Sequence, residues 1–379
     1  MKNVIISAYA RSPFTPAYKG ELATTRADDL AAQVIKIMLA NTVINPEDIE
    51  DLILCCAFPE GEQGMNMARL LVYLAELPIS IAGMTLNRFC GSSMQAIHIA
   101  AGAIQMNAGD AFICAGVESM SRVTMGGFNF MPNPELYQYY PQAYISMGET
   151  AENLAKKYHI SRSAQESFAL LSQQKTYQAQ QLGLFVDEII PIISPSGKNI
   201  TQDSCLRPTS TTEAMAELKP VFMQQGSVTA ATSSPLTDGC AAILVCSEQY
   251  ADNNGLDKLA RIKSIAVSAC QPEIMGIGPV VATQKALHRA DLSLTDIDIV
   301  ELNEAFASQS LAVLKELAIP AEKLNIDGGA IALGHPLGAT GARIVGKAAS
   351  LLQRENKQFA LATQCIGSGQ GIATILEAI

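Results

Sequence analysis

Two cysteines and one histidine of this 379-residue chain stand in surroundings that suit thiol chemistry. The first, Cys90, lies in residues 87–94, between a predicted strand and a predicted apolar helix. A helix N-terminus carries unpaired N–H groups and a partial positive charge, which favour the thiolate, the reactive form of cysteine. Taken alone, the segment fits a buried core cysteine equally well.

The histidine lies in a segment that is rich in glycine, residues 328–341. Glycines allow close approach of the backbone to a ligand or to another chain segment. His335 can accept a thiol proton and polarise a carbonyl group near neutral pH. We therefore interpret His335 as a functional residue rather than a structural one.

A second thiol and an amide complete the set of candidates. Cys365 follows a predicted strand, residues 359–363, in a loop of small residues whose N–H groups could bind an oxyanion, although a tight turn with a buried thiol fits as well. Asn303 ends another predicted strand and could hold a water, but such an Asn is more often a turn residue. Acyl transfer between thiols with carbanion chemistry needs a nucleophile, a proton shuttle and stabilisation of two oxyanions.

An internal repeat indicates how the chain positions these residues. Residues 48–58 align without a gap with residues 296–306, and five of the eleven positions are identical. The same register places residues 111–115 over residues 359–363. Two copies of one α/β unit are predicted, each a mixed or parallel sheet covered by helices. The helix after Cys90 is apolar on most sides, so we expect such helices to be sandwiched between two sheets.

The domain boundaries follow from the repeat. Residues 1–118 with 237–257 are predicted to form the N-terminal half, and residues 258–379 the C-terminal half. Between them, residues 119–236 form an insertion with predicted helices over 150–158 and 161–182 and otherwise loops. Long inserted loops on a rigid core tend to carry ligand contacts.

Composition narrows the function classes. The net charge of −10 argues against nucleic-acid binding, so an anionic ligand would need a local basic patch. Nine cysteines without a CxxC pair make a zinc site improbable and fit a reducing compartment. No membrane span and no targeting segment is predicted, and a soluble cytoplasmic protein is the simplest expectation.

The segments around Cys90, Asn303, His335 and Cys365 resemble the thiolase family, and the similarity extends from end to end of the chain. The resemblance implies an α/β thiolase fold, with two similar halves packed in αβαβα layers and an inserted loop domain that binds coenzyme A (CoA). It implies an acyltransferase that uses CoA as a substrate and has no permanently bound cofactor or metal.

The resemblance also implies a role for each candidate. Cys90 resembles the acylated nucleophile, and Cys365 the acid/base that protonates the departing acetyl-CoA carbanion. His335 matches the residue that activates the nucleophile and, with a water held by Asn303, forms the oxyanion hole for the enolate. The N–H groups of Cys90 and Gly367 match the second oxyanion hole, and these roles imply ping-pong kinetics.

Four further residues lie in segments that resemble the family's CoA-binding regions. Met147 lies in residues 146–152, and Met275 in a stretch that lines the same pocket. Ser234 matches a serine that contacts the pantetheine arm. Arg207 could meet the anionic nucleotide of CoA, although an ordinary surface salt bridge would also explain it.

Departures from the family pattern bear on the substrate. Biosynthetic acetoacetyl-CoA thiolases usually have His where Ser146 stands, and residues 87–95 and 365–374 look most like bacterial 3-ketoacyl-CoA thiolases of fatty-acid β-oxidation. The main prediction is cleavage of 3-ketoacyl-CoA to acetyl-CoA and a shortened acyl-CoA. The alternative is an acetoacetyl-CoA thiolase that works in the condensation direction. Three other positions also depart from the pattern: Pro235, Ser368 and Asp327.

Three further classes and the partners complete the expectations. A decarboxylating ketoacyl synthase would need two catalytic histidines, a non-catalytic CoA or lipid binder would not need the intact motifs, and a cysteine hydrolase would leave Cys365 without a role.

Residues 66–71 resemble a dimer-contact segment, which predicts a homodimer or homotetramer. Bacterial relatives of this type often work with a multifunctional hydratase–dehydrogenase of β-oxidation, for which the sequence shows no docking surface.

Overall fold

A computed structural model describes residues 2–379 of the chain. The strands within that range are β1 (Val4–Arg11), β2 (Thr15–Pro16), β3 (Asp51–Cys55), β4 (Ala82–Leu86), β5 (Ala111–Ser119), β6 (Ile192–Ile193), β7 (Asn199–Ile200), β8 (Thr237–Ser247), β9 (Ala260–Ala269), β10 (Ile299–Leu302), β11 (Phe359–Ile366) and β12 (Gln370–Glu377). The α-helices are α1 (Ala27–Ala40), α2 (Met67–Leu74), α3 (Ser92–Gln105), α4 (Pro134–Tyr139), α5 (Met147–Lys157), α6 (Arg162–Gln181), α7 (Thr212–Ala216), α8 (Glu248–Asn254), α9 (Gly278–Ala290), α10 (Ala307–Leu317), α11 (Ala330–Leu333) and α12 (Leu337–Arg354).

The strand pairing repeats in the two halves. In the N-terminal half β3 runs parallel to β5, and β5 runs antiparallel to β8. In the C-terminal half β10 runs parallel to β11, and β11 runs antiparallel to β12. The two similar α/β units predicted from the repeat are therefore confirmed. The counterpart of β4 is reduced to a single bridge between Val300 and Leu324.

The two half-sheets are joined, whereas two separate sheets were expected. The strand order is β10-β11-β12-β9-β1-β8-β5-β3-β4, with β2 paired to β8. The joint is short, because β1 and β9 pair only through Ile5 with Arg261 and Ile6 with Ala260. Joining the halves in this way pairs backbone groups that two free sheet edges would leave unpaired.

Helices α3 and α12 pack together at the centre of the molecule. One core cluster contains Met94 and Ile97 of α3, Ile344 and Val345 of α12, and side chains from the strands of both halves. Helices α1 and α2 cover the outer face of the N-terminal half, and α9 and α10 cover that of the C-terminal half. Strands β5 and β8 are buried along their whole length because helices cover both faces. The layers are thus α, β, α, β and α.

The insertion leaves and re-enters the core at a strand pair, since Ser119 at the end of β5 pairs with Asp238 near the start of β8. Helix α5 begins earlier than predicted because Ser146 and Glu149 form a capping box. Helix α6 lies where it was predicted, and Ser161 caps its N-terminus. The segments predicted as loops also contain the short helices α4 and α7. Among residues 2–379, no helix combines the length and apolar character that crossing a bilayer requires.

Candidate active site

Three elements bring Cys90, Asn303 and Cys365 to one place. Cys90 lies in a 3₁₀ turn, Phe89–Gly91, that leads into α3. Asn303 directly follows β10, and its N–H donates to the Thr363 carbonyl of β11 (3.0 Å). Cys365 lies near the end of β11. Because β10 and β11 are parallel, their carboxyl ends meet at one edge of the sheet.

Contacts between backbone and side chains tie the two thiols together. The Gly367 N–H points at Cys90 Sγ, as does the N–H of Cys90 itself. The Gln364 side-chain amide also donates to the Cys90 carbonyl. Cys90 and Cys365 are close enough for the charge of one to disfavour ionisation of the other. Both N–H groups that the resemblance assigns to an oxyanion hole therefore converge on the nucleophile candidate.

The Cys90 side chain is a neutral thiol at rest, which corrects the expectation that the helix N-terminus would favour the thiolate. Burial raises the pKa of Cys90 to about 11, although the N–H of Gly367 opposes this rise. The nearby Glu118 carboxylate raises the pKa further. Desolvation outweighs the helix terminus because the sulfur is almost fully removed from water. The thiol therefore needs a base to become nucleophilic.

His335 lies between α11 and α12 and is neutral as well. Burial, and then the charge of Arg343, lower the pKa of His335 to about 3. Its Nδ1 lies 2.7 Å from Thr340 Oγ1, whose hydroxyl in turn reaches the Pro336 carbonyl (3.3 Å). If the hydroxyl donates to that carbonyl, it accepts Nδ1–H. Nε2 then keeps a lone pair that can accept a proton.

Asn303 contacts the other face of this histidine. With the proton on His335 Nδ1, Asn303 Nδ2–H donates to Nε2 (3.3 Å), so this hydrogen bond must be released before Nε2 takes a proton. Asn303 Oδ1 is buried and has no hydrogen-bond partner in the protein. A buried amide oxygen without a partner is a place where a water or a substrate group can bind.

His335 and Cys90 are linked through their neighbours. Cys90 packs in a small cluster with Met120 and Leu337, and Leu337 is two residues after His335. The His335 N–H donates to Thr237 Oγ1 (3.1 Å), and the Thr237 N–H points at Met120 Sδ (3.2 Å). The N-terminal half thus contacts the histidine segment directly.

Cys365 is fully buried and protonated at rest. Burial raises its pKa well above the usual value, and the proximity of Cys90 adds to this rise. It packs in a cluster with Met275 and Phe306, against which Met147 also lies. A thiol that holds its proton is the form that can protonate a carbanion.

The glycines around His335 make room for protein rather than for a ligand. A side chain at any of them would collide with a neighbouring segment: Gly328 with Thr176, Gly329 with the Glu304 carboxyl, Gly334 with Thr237, Gly338 with the Cys56 backbone and Gly341 with the Met94 backbone. Of the two explanations offered by the sequence, close approach of another chain segment is the one that the structure shows.

The structure adds residues that were not predicted from the sequence. Thr340 contacts His335, and the carboxylates of Glu118 and Glu304 bind the backbone of the His335 segment. A charged residue in an apolar strand, such as Glu118 in β5, is the signal that could have revealed such a site.

Three of the four CoA-binding candidates lie near the thiols. Met147 begins α5, and a side chain at Gly367 would come within 3.5 Å of its Sδ. Met275 is buried in the cluster that contains Cys365. The N–H and Oγ of Ser234 both donate to the Ala305 carbonyl, two residues after Asn303.

Arg207 lies apart from this group, in the exposed part of the insertion. Its backbone N–H donates to Gln173 Oε1 (2.8 Å). Among residues 2–379 its guanidinium has no carboxylate within ion-pair distance. The surface salt bridge offered as an alternative explanation is therefore not formed.

The remaining departures from the family pattern have structural surroundings of their own. Asp327 forms a buried ion pair with Lys347 (2.7 Å) and a second ion pair with Arg354 (2.6 Å), whose side chain reaches the surface. Ser368 is exposed in the turn between β11 and β12, with a φ of 64°. The Pro235 carbonyl accepts the Thr237 hydroxyl. Within the described residues, no group of three His, Cys, Asp or Glu side chains could hold a metal ion.

Comparison with known proteins agrees with this arrangement. Residues 3–249 match the model of the thiolase N-terminal domain, and residues 256–378 match that of the thiolase C-terminal domain. A 3-ketoacyl-CoA thiolase of Bacillus subtilis (strain 168) is 44% identical to this chain. A 3-oxoadipyl-CoA/3-oxo-5,6-dehydrosuberyl-CoA thiolase of Escherichia coli (strain K12) is also 44% identical. Each match covers 100% of both chains. The crystal structure of human mitochondrial 3-ketoacyl-CoA thiolase in complex with CoA has a TM-score of 0.91 at 37% identity, over 100% of this chain and 98% of that one. The chain therefore belongs to the thiolase family.

Proposed function

We propose that the protein cleaves 3-ketoacyl-CoA with CoA, giving acetyl-CoA and an acyl-CoA that is two carbons shorter. The observation that carries this proposal is the pair of buried thiols, Cys90 and Cys365, beside the His335–Asn303 pair. A hydrolase would need only one thiol, and a decarboxylating ketoacyl synthase would need a second histidine. His98, the other buried histidine, lies within α3 and bonds Thr374 instead.

In the first half of the reaction, His335 Nε2 takes the Cys90 proton and the thiolate attacks the C3 carbonyl of the substrate. The C2–C3 bond then breaks, and its electron pair moves to C2 as the enolate of acetyl-CoA. The His335 imidazolium and the group held by Asn303 stabilise the enolate oxygen. Cys365 donates its proton to C2, and acetyl-CoA leaves.

In the second half, the Cys365 thiolate takes the proton of an incoming CoA thiol. The CoA thiolate attacks the acyl-Cys90 thioester, and the oxyanion forms beside the N–H groups of Cys90 and Gly367. Both groups already point at the Cys90 sulfur, which supports their role. Collapse of this intermediate releases the shortened acyl-CoA, and the His335 imidazolium returns its proton to the Cys90 thiolate, which restores both groups. Met147, Met275 and Ser234 are proposed to contact the pantetheine arm, and Arg207 the nucleotide of CoA.

The substrate class is proposed from the insertion. Between Arg122 and Lys156 the chain has no basic residue, and several exposed side chains there are large and apolar. They are Met125, Phe128, Phe130, Met131, Tyr137 and Tyr139. If these residues line the acyl channel, they suit a fatty acyl chain better than a chain that ends in a carboxylate, which would need a cation. This favours β-oxidation substrates over 3-oxoadipyl-CoA.

The first test is CoA-dependent cleavage of short-, medium- and long-chain 3-ketoacyl-CoA and of 3-oxoadipyl-CoA. Activity should rise toward medium and long chains. Activity confined to acetoacetyl-CoA would favour the condensing alternative, and absence of cleavage on every substrate would overturn the proposal. Acetyl-CoA should also leave an acetyl adduct on Cys90 in the wild type and in Cys246→Ser, a control that removes a thiol at the opposite end of β8 from Thr237. A non-catalytic binder would show no adduct.

We also propose a homodimer or homotetramer in the cytoplasm. Strand β4 is an edge of the sheet, and the neighbouring α2 exposes Leu70, Tyr73 and Leu74. Unpaired edges and apolar helix faces are surfaces that a second copy can cover. The nine free cysteines support a reducing compartment. Light scattering at micromolar concentration should give at least twice the chain mass of 40.3 kDa, and a monomer would contradict the assembly.

A further inference from the structure

The segment that carries His335 is held at both ends by a buried carboxylate. Before the histidine, the Ile331 N–H donates to Glu304 Oε2 (3.1 Å). After it, the Gly338 N–H at the start of α12 donates to Glu118 Oε2 (2.9 Å). The exposed fraction of Glu118 is 0% and that of Glu304 is 2%.

Glu118 connects the two halves of the molecule. It lies on β5 of the N-terminal half and also accepts the Ala57 N–H (2.8 Å) and Gln63 Nε2–H (2.9 Å). These partners, like the Gly338 N–H, are all donors, and they favour the ionised carboxylate against burial, which raises the pKa of Glu118. Ala57 packs in the same small cluster as Cys90. One carboxylate therefore joins the surroundings of Cys90 to the helix that follows His335.

Glu304 connects the histidine segment to Asn303 and to the insertion. It is the residue after Asn303, and it accepts Asn325 Nδ2–H (2.8 Å) and the Ser172 hydroxyl of α6 (2.7 Å). Gly329 leaves the space that this carboxyl group occupies. The two carboxylates thus accept hydrogen bonds from the same segment, residues 328–341, and come from opposite halves of the molecule.

We propose that Glu118 and Glu304 are positioning residues of the thiolase reaction. Glu118 holds His335 in place relative to Cys90 of the N-terminal half, and Glu304 holds it in place relative to Asn303 of the C-terminal half. Neither side chain is required to touch the substrate, and the proposal rests on the proposed function. Hydrogen bonds from N–H groups to an ionised carboxylate are stronger than neutral ones and have fixed geometry. A displacement of about 1 Å in a catalytic group can cost about 10²-fold in rate.

The test separates the effect of side-chain length from the effect of side-chain charge at each position. Glu→Asp keeps the charge but shortens the side chain by one methylene, whereas Glu→Gln keeps the length and one carbonyl acceptor. We expect Glu118→Asp and Glu304→Asp to lower kcat by about 10–100-fold with KM changed by less than about 2-fold. Glu118→Gln and Glu304→Gln should lose less than the matching Asp variants.

The control is Glu188→Asp, which shortens a buried carboxylate that pairs with Arg11 and Lys347 and not with the His335 segment. It should lower the thermal midpoint without the same fall in kcat. The proposal is overturned if the Asp variants are at least as active as the Gln variants. It is also overturned if kcat falls in Glu188→Asp as much as in the other Asp variants.

A second readout needs no turnover. Because the Glu118 charge disfavours the Cys90 thiolate, Glu118→Gln should move the pH midpoint of Cys90 alkylation by iodoacetamide downward, while Glu304→Gln should leave it within experimental error. An unchanged or upward midpoint in Glu118→Gln would show that the carboxylate does not face Cys90. The proposed role of Glu118 in joining the two halves at the site would then be overturned. This measurement stands even if the wild type cleaves no 3-ketoacyl-CoA, so the two failures can be told apart.

Discussion

The catalytic candidates share a chemical state that the sequence did not indicate, since each is buried and uncharged at rest. Burial raises the pKa of Cys90 to about 11 and lowers that of His335 to about 3. An ion pair between thiolate and imidazolium is therefore unfavourable before substrate binds, because neither charge is solvated. The free site is thereby protected from indiscriminate alkylation, and the reaction draws on substrate contacts to create the charges.

Because Cys90 is the proposed nucleophile and Cys365 the proposed acid/base, a substitution at Cys365 should affect carbon–carbon cleavage more than acyl exchange. Cys365→Ser replaces the proton donor by a hydroxyl that ionises far less readily, so cleavage of the carbon–carbon bond should fall by about 10²–10⁴-fold. Acyl exchange between acetyl-CoA and labelled CoA, which needs Cys90, should be partly retained. Cleavage and exchange are measured on the same preparation.

The matched control is Cys246→Ser, which removes a thiol at the opposite end of β8 from Thr237 that no step of the reaction uses. It should keep both activities. Wild-type carbon–carbon cleavage in Cys365→Ser would exclude the acid/base role of Cys365. Thioester hydrolysis that survives in Cys365→Ser, without carbon–carbon cleavage in either protein, would favour the cysteine hydrolase.

At the scale of the elements, the glycines around His335 are packing residues, and this gives a second prediction. Gly329→Ala would place a methyl group 2.2 Å from the Glu304 carboxyl carbon, which three hydrogen bonds hold in place. Forced repacking of this kind costs about 1–3 kcal/mol, so the thermal midpoint and kcat should both fall.

Gly102→Ala is the contrasting variant. Gly102 lies exposed in the last turn of α3, and an added methyl group would meet nothing within 4 Å. This change should stabilise the protein by about 0.5–1 kcal/mol, because alanine loses less backbone freedom in a helix. Equal effects of the two substitutions on the thermal midpoint would contradict the packing role of Gly329.

Much of the element order could be predicted from the sequence because the repeat carries its own register. The alignment of residues 111–115 with 359–363 locates the first residues of β5 and β11. The joint between β1 and β9 and the contacts of Glu118 could not be predicted, since both depend on which segments become neighbours after folding. The glycine-rich segment indicated close approach but not whether a ligand or the chain itself would come close.

At the scale of the whole molecule, two buried histidines make stability depend on pH. Burial lowers the pKa of His98 and of His335 to about 3, whereas the unfolded chain binds these protons near the usual value of 6.5. Each should therefore remove about 1.4 kcal/mol of stability per pH unit as pH falls from 6.5 toward 3. Glu301, whose pKa burial raises to about 7, acts in the opposite sense between pH 4.5 and 7, and so do Glu118 and Glu304, whose pKa values burial also raises.

The measurement is the thermal midpoint of the wild type and of His98→Gln between pH 6.5 and 4.5. As pH falls, the stability of the wild type should fall relative to that of His98→Gln, because the variant lacks one of the two histidines. Parallel curves for the two proteins would show that His98 is not kept neutral by burial.

The position of β8 has a consequence for synthesis on the ribosome. In the sheet β8 lies between β1 and β5, yet in the chain residues 120–236, almost the whole insertion, separate it from β5. At about 5–20 residues per second, roughly ten seconds pass between the emergence of β5 and that of β8. Throughout that interval the nascent chain exposes two strands whose shared partner has not yet been made, and exposed edges of this kind invite aggregation. The length of the insertion therefore sets how long a newly made chain depends on protection by chaperones.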